Sequence, residues 1–244
     1  MALTSVAVSP ATAMLRLGRV LGMSNLPRYV GACGRLSVYQ GDLATIQDFV
    51  SSDWDTRAEL ASQILSLVNT LLTQDSFVFL VWNLTSSDLA VTNTGQVVLT
   101  GLDKVTPVDK ALLLTPGGDR PVCNQECYDK FYTEVIMVTP RGQPGRGCGS
   151  ALQYGDMMYS HVCRHVFSDT SDGPGLLHSA PDDVTRLVSE CGHEQGVGGR
   201  WRAVDNLVTL LDNVGSDDQA TTTTEYIDTE ESGDFSSTTS GEEH

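Results

Sequence analysis

The sequence predicts an α+β fold that is mainly helical and ends in a disordered acidic tail. Three observations support this: an amphipathic helix pattern at residues 54–73, a β-rich region at 77–100, and further helical patterns downstream. With 244 residues, of which 40% are hydrophobic, the chain is long enough to bury one sizeable core.

The clearest helix covers residues 54–73. Ser52 or Asp53 can cap its N-terminus, and apolar residues recur at three- and four-residue steps along it. These apolar positions are Ala58, Ala61, Ile64, Leu65, Val68, Leu71 and Leu72. We therefore expect a central helix of the core.

The β-rich region follows directly. Residues 77–82 form a continuous apolar run with β-favouring side chains, and residues 89–92 and 96–100 flank Asn93-Thr94-Gly95, a hairpin signal. The apolar run is far shorter than the roughly 20 residues that a membrane-spanning helix needs, so we expect no such segment in this chain. Downstream, we predict helices at residues 155–166, 181–190 and 200–213, and the Gly/Pro-rich residues 139–149 predict a loop.

The charge distribution marks a tail. The chain has a net charge of −16, and residues 215–244 contribute acidic side chains without any Lys or Arg. This segment is rich in Ser and Thr and poor in large apolar residues, which predicts disorder. The acidic balance also disfavours nucleic acid as a partner, because like charges repel.

The order of these elements resembles the large lobe of a protein kinase. Residues 80–91 (LVWNLTSSDLAV) stand where a kinase has its catalytic loop, and residues 97–105 (VVLTGLDKV) stand where it has the metal-binding strand end. The more specific resemblance is to the divergent protein kinase domain 2 family, the deleted in autism protein 1-like proteins of the secretory pathway. It extends over residues 20–214 and rests also on residues 26–35, 54–61, 105–110 and 175–181 and on six cysteines.

The resemblance implies a protein-kinase-like fold with four segments. These are an uncertain N-terminal segment (1–19), a remnant of the small lobe (20–50), the large lobe (51–214) and the disordered tail (215–244). Residues 14–28 resemble the end of the regulatory helix of the small lobe. Either a truncated gene model or the loss of the nucleotide-binding half would explain the short small lobe.

Nucleotide-binding motifs are missing from the small-lobe remnant. All lysines, namely Lys104, Lys110 and Lys130, lie at or beyond the hairpin, so none can be the strand lysine that holds ATP in kinases. Residues 1–50 also contain no G-x-G-x-x-G loop. We therefore expect no bound cofactor.

The catalytic positions of the family are also altered. A kinase uses an Asp as base, then an Asn and a second Asp to hold magnesium. The resemblance places Asn83 at the base, Asp88 at the metal-holding Asn, and Gly101 at the principal metal-holding Asp. Asp103 would share the face of Gly101 if both lay on a strand. No residue is therefore assigned confidently to catalysis or to metal binding.

These departures imply a pseudokinase that acts by binding a protein partner. The family resemblance places it in the lumen of the endoplasmic reticulum or Golgi, or outside the cell, although residues 1–10 show no signal-peptide pattern. One alternative is a residual kinase that uses Asp88 and Asp103 with ATP and magnesium or manganese. Another is a truncated product without function, whose unpaired β-edges would cause aggregation.

The cysteines have two interpretations. The family resemblance favours disulfides but leaves the pairing open. Alternatively, Cys123 and Cys127 could bind zinc with His161 and His165. A nucleophilic role for Cys148 is disfavoured, because no base lies near it in sequence. The six candidates for disulfides are Cys33, Cys123, Cys127, Cys148, Cys163 and Cys191.

Several sites could be modified in a secretory protein. Asn83-Leu84-Thr85 is the N-glycosylation acceptor of the chain, although we expect Asn83 to be buried. Ser232 and Ser240 lie in contexts that resemble glycosaminoglycan attachment, and residues 225–228 resemble a tyrosine sulfation context. A plain solvated acidic linker remains the preferred interpretation of this tail. We expect His178 to satisfy backbone groups near the helix that starts at Pro181.

Overall fold

The computed structural model describes residues 10–33, 36–74, 76–81, 83–109, 151–193 and 199–220. Helices and short strands alternate in the first half of these residues, and helices alone make up the second half. In chain order the elements are α1 (Pro10–Val20), β1 (Tyr29–Cys33), β2 (Leu36–Tyr39), β3 (Leu43–Thr45), α2 (Trp54–Thr73), β4 (Phe77–Val81), β5 (Leu89–Thr92), β6 (Val97–Leu99), β7 (Val105–Asp109), α3 (Ala151–Val162), α4 (Asp182–His193) and α5 (Gly199–Ala220).

The strands form small antiparallel sheets. β1 pairs with β2, β5 lies between β3 and β6, and β4 pairs with β7. The predicted hairpin is confirmed, with Leu89 opposite Leu99. The β4–β7 pair was not predicted, because Pro107 lies in β7 opposite Phe79 and proline is rare inside strands.

The central helix α2 is confirmed with the predicted bounds. Asp53 caps it, since its Oδ1 accepts a hydrogen bond from the backbone N–H of Thr56 at 2.8 Å, and this bond lowers the pKa of Asp53. The predicted apolar residues are buried in the core except Leu72, which is half-buried against it, and Leu60 and Leu67 are buried as well. Because its buried surface is this wide, α2 can contact α3, α5 and β4 at once.

Gln63 of α2 fixes the position of the β5–β6 hairpin. Its Oε1 accepts a hydrogen bond from the backbone N–H of Val97 at 2.8 Å, and its Nε2 donates to the carbonyl of Gly95 at 3.1 Å. Gly95 has a φ of 80°, which the hairpin turn requires and which glycine adopts without strain. One side chain thus aligns the hairpin with the central helix.

The first helix is shorter than the sequence suggests. α1 ends at Val20, whereas residues 14–28 resemble the end of a helix. Gly22 has a φ of 68°, and the N–H of Met23 donates to the carbonyl of Gly18 at 2.8 Å. A glycine in the left-handed region after the last turn is a typical helix stop, which accounts for the earlier end.

The three predicted C-terminal helices are confirmed, but their ends differ from the predicted ones. α3 continues through a π-helical turn, Cys163–Phe167, and α4 starts at Asp182. α5 extends past residue 215, where the tail was predicted to begin, and ends at Ala220. The predicted loop at 139–149 and residues 221–244, with Ser232 and Ser240, lie outside the described residues.

A disulfide joins the π-helical turn to α4. It links Cys163 and Cys191, whose Cα atoms are 6.0 Å apart, and both residues are fully buried. Cys33 is exposed and pairs with no cysteine in the described part of the chain, so its expected disulfide is not found there. Cys123, Cys127 and Cys148 lie outside that part.

We expect the disulfide to stabilise the helical half of the protein. Replacing both Cys163 and Cys191 by alanine should lower the free energy of unfolding by about 2–4 kcal/mol, because the cross-link restricts the unfolded chain. Urea unfolding without reductant measures this. Cys33→Ala is the matched control and should change stability by less than about 0.5 kcal/mol, as exposed positions usually do. Equal midpoints for the double variant and the wild type would contradict the expectation.

Arg57 anchors the segment that precedes α4. It is 7% exposed, and its Nη1 donates to the carbonyls of Leu176 at 3.1 Å and of His178 at 2.8 Å. The Nδ1 of His178 lies 3.0 Å from this nitrogen and 3.0 Å from the carbonyl oxygen of Gly175. His178 therefore lies beside backbone groups, as expected, while the role of Arg57 was not predicted.

Removing this anchor should destabilise the protein. Arg57→Met leaves buried carbonyls without their donor, so we expect a loss of about 1.5–3 kcal/mol, the range for hydrogen bonds to a charged group. Arg16→Met is the control: Arg16 is exposed and lies 5.7 Å from the ring centroid of Tyr29, a contact worth about 0.5–1 kcal/mol. Equal losses in both variants, measured by thermal unfolding, would refute the anchoring role.

Candidate functional site

The segment between β4 and β5 forms the candidate site. Asn83 is exposed and has a φ of 50°, a left-handed conformation that asparagine tolerates better than most residues. Leu84 is fully buried, and a 3₁₀ turn, Ser86–Asp88, then leads into β5. The expectation that Asn83 is buried is wrong, because the chain turns outward here and buries Leu84 instead.

The Asp88 carboxylate is the centre of this site. Asp88 is 4% exposed, and its Oδ2 accepts hydrogen bonds from the backbone N–H and the hydroxyl of Thr85, both at 2.9 Å. Its backbone carbonyl accepts from the N–H groups of Thr100 at 2.7 Å and Gly101 at 3.1 Å. Asp88 therefore ties the segment after β4 to the segment after β6.

A lysine from the chain itself neutralises this carboxylate. Lys104 Nζ lies 2.8 Å from Asp88 Oδ2, and it also donates to the backbone carbonyl of Asn83 at 3.5 Å. The Lys104 side chain is 33% exposed and that of Asp88 is 6% exposed, so the ion pair is largely shielded from water. The position beside Asp88 is thus taken by an ammonium group.

Gly101 packs directly against Asp88. A Cβ at residue 101 would overlap Asp88 Oδ1 and would lie 2.7 Å from its Cβ and 2.8 Å from its Cγ. These separations are shorter than atoms in proteins tolerate. The backbone φ of Gly101 is −72°, so packing and not backbone conformation restricts this position to glycine.

Asp103 does not lie on a strand with Gly101, as the sequence suggested. Residues 102–104 form a 3₁₀ turn, so the strand alternation that placed Asp103 on the face of Gly101 does not apply. Leu102 is buried and Asp103 is exposed. Sequence reasoning also missed Lys104, although an acid and a base flanking a hairpin are a weak signal for such a pair.

The described residues hold no other candidate metal centre. Within them, no group of three or more His, Cys, Asp or Glu side chains is arranged to hold a metal ion. The rings of His161 and His165 stack at 5.4 Å, and partial desolvation, followed by the charge of Arg164, lowers the pKa of His165. The zinc hypothesis also needs Cys123 and Cys127, which lie outside these residues, so it stays a prediction.

Fold and site together define a protein-kinase-like domain. A family model described as "Protein-kinase domain of FAM69" matches residues 14–194, most of the chain. The chain belongs to this family, within which the divergent protein kinase domain 2 proteins are its relatives. This confirms the expected kinase-like α+β fold.

The curated relatives are distant. The chain is 22% identical over 205 residues to "Divergent protein kinase domain 2A" of Homo sapiens and to that of Xenopus tropicalis, in each case covering 75% of this chain. The Mus musculus protein of the same name is 22% identical over 201 residues. The chain spans 45% of the length of the human relative.

We predict that a side chain introduced at residue 101 destabilises the protein. Gly101→Asp and Gly101→Ala should each lower stability by about 1–3 kcal/mol, the range for overpacking, because Asp88 must move and lose its bonds. Gly41→Ala is the matched control, since residue 41 is exposed and a Cβ there has open space. Chemical unfolding of the variants checks this, and unchanged midpoints for residue 101 would show that Asp88 relocates freely.

Proposed function

We propose that this protein is a secretory-pathway pseudokinase that acts by binding a protein partner and does not transfer phosphate. The observation that carries the proposal is the Lys104–Asp88 ion pair, at a residue that the resemblance assigns to metal binding. A kinase needs that position for magnesium, which neutralises the phosphates of ATP during transfer.

The residues present do not fit a magnesium nucleotide. Gly101 offers no ligand, and its contact with Asp88 excludes a carboxylate side chain there. Asp88 Oδ2 already receives two hydrogen bonds from Thr85 and one from Lys104. To bind here, a metal ion would have to displace the Lys104 ammonium group, which lies 2.8 Å from Asp88 Oδ2. It would obtain a single carboxylate ligand in return. Pairing of Asp88 with Lys104 is therefore favoured over binding of a metal ion.

The base position supports the same proposal. Asn83 carries a carboxamide, which cannot accept a proton at neutral pH as the kinase aspartate does. Its left-handed turn also fixes the backbone carbonyl towards Lys104 Nζ. The three residues that the resemblance assigns to catalytic positions therefore contribute to local structure in this chain.

Two observations support the secretory part of the proposal. Disulfides persist in oxidising compartments and are rare in the cytosol, and Cys163 and Cys191 form one in the core. The chain also resembles the divergent protein kinase domain 2 proteins, which are secretory-pathway proteins. None of the helices in the described segments combines the length and apolarity needed to cross a bilayer.

We expect nucleotide to leave the stability of the protein unchanged. The full chain, produced in a secretory host, is melted with and without saturating ATP and magnesium or manganese. A ligand that binds the folded state at 100–1,000 times its Kd would add about 2.7–4.1 kcal/mol, a readily measured shift. A single cooperative transition at the same temperature in all conditions is the predicted result.

The residual-kinase alternative makes the opposite prediction. It requires a nucleotide-dependent shift that disappears in Asp103→Ala, because Asp103 would then be a metal ligand. Asp172→Ala is a matched control, since it removes an exposed acidic residue far from the site in sequence. A shift that is present in the wild type and in Asp172→Ala but absent in Asp103→Ala would overturn the pseudokinase proposal.

A further inference from the structure

Asn83 is held in a conformation that suits chemical modification. The residue is exposed, and its φ of 50° places it at the outside of a tight turn between β4 and the 3₁₀ turn Ser86–Asp88. Within the described part of the chain, the structure shows no hydrogen bond from its carboxamide. The next residue, Leu84, is fully buried and fixes the turn from the inside. A group attached to Asn83 would therefore extend into solvent without disturbing the core.

The sequence around this turn is an acceptor for N-linked glycans. Asn83-Leu84-Thr85 has a hydroxyl residue two positions after the asparagine and no proline between them. Asn93 offers a comparison, because it lies on an exposed hairpin turn but is followed by Thr94 and Gly95, which do not complete the acceptor pattern. The two asparagines are both exposed and both lie in turns, but only Asn83 has a positive φ and only Asn83 has the acceptor sequence.

We propose that Asn83 carries an N-linked oligosaccharide, attached in the lumen of the endoplasmic reticulum. This rests on the secretory part of the proposed function. The amide nitrogen of Asn83 forms a bond to the anomeric carbon of an oligosaccharide carried on a polyprenyl pyrophosphate. The bond between that carbon and the pyrophosphate oxygen breaks, the polyprenyl pyrophosphate leaves with the electron pair, and the nitrogen loses one proton.

The glycan would stand over the altered catalytic position. Lys104 Nζ contacts both the Asp88 carboxylate and the backbone carbonyl of Asn83, so the modified residue borders the ion pair directly. An N-linked glycan is bulky and hydrophilic. It would exclude a protein hydroxyl from the place where a kinase substrate is phosphorylated, and would leave the rest of the surface open for a partner.

The test uses the full chain, directed into the endoplasmic reticulum of a secretory host by an added signal sequence. We expect a gel mobility shift that a peptide N-glycosidase removes, and that is absent from Asn83→Gln and Asn83→Gly. The glycine variant tolerates the positive φ, so it keeps the turn if glutamine does not. Asn93→Gln should retain the full shift. Peptide mass spectrometry after glycosidase treatment should find aspartate in place of Asn83.

The outcomes separate this proposal from the pseudokinase proposal. A secreted wild-type chain whose Asn83 peptide is unmodified would overturn the glycan, whatever the nucleotide melts show. A shift that persists in both Asn83 variants would place the glycan elsewhere and overturn it as well. A nucleotide-dependent melt in the glycosylated chain would overturn the pseudokinase proposal and leave the glycan in place.

Discussion

The hydrogen-bonded Asp88 carboxylate is the constraint on which the geometry of the site depends. One oxygen accepts from Thr85 and Lys104, and the backbone carbonyl of the same residue receives the N–H groups of Thr100 and Gly101. These bonds join two chain segments that are separated by the β5–β6 hairpin. Gln63 then aligns that hairpin with the central helix, so the site is coupled to the core through a short series of hydrogen bonds.

The surroundings of this carboxylate also show how the fold accommodates a largely buried charge. A largely buried carboxylate is unfavourable unless a cation or several donors compensate for the lost water. In this chain Lys104 supplies the charge and Thr85 supplies two donors. Both partners are residues of the same chain, so this compensation does not depend on the concentration of a free ion.

Local patterns predicted much of the fold. The spacing of apolar residues in α2, the Asn-Thr-Gly turn of the hairpin and the apolar faces of the C-terminal helices depend on neighbours in sequence, and the structure confirms them. The short strand β3 and the proline-containing β7 carry weak patterns, because each depends on pairing with a distant segment. Likewise, the roles of Arg57 and Lys104 depend on partners that no local spacing reveals.

The sequence picked out residues of the candidate site but did not predict their arrangement in space. The resemblance located Asn83, Asp88 and Gly101, and the structure places the last two in direct contact. The expected burial of Asn83 was wrong because a left-handed turn depends on backbone conformation, which the residue type alone does not fix. The expected alignment of Asp103 was wrong because a 3₁₀ turn replaces the strand.

The close packing of Gly101 on Asp88 also limits how this site can change over generations. Introducing a carboxylate at residue 101 requires Asp88 to move first, which breaks its bonds to Thr85 and Lys104. A substitution at residue 101 alone therefore cannot give a two-carboxylate site at full stability. In evolutionary terms, each residue that stabilises the present arrangement of Asp88 raises the barrier to a second carboxylate at residue 101.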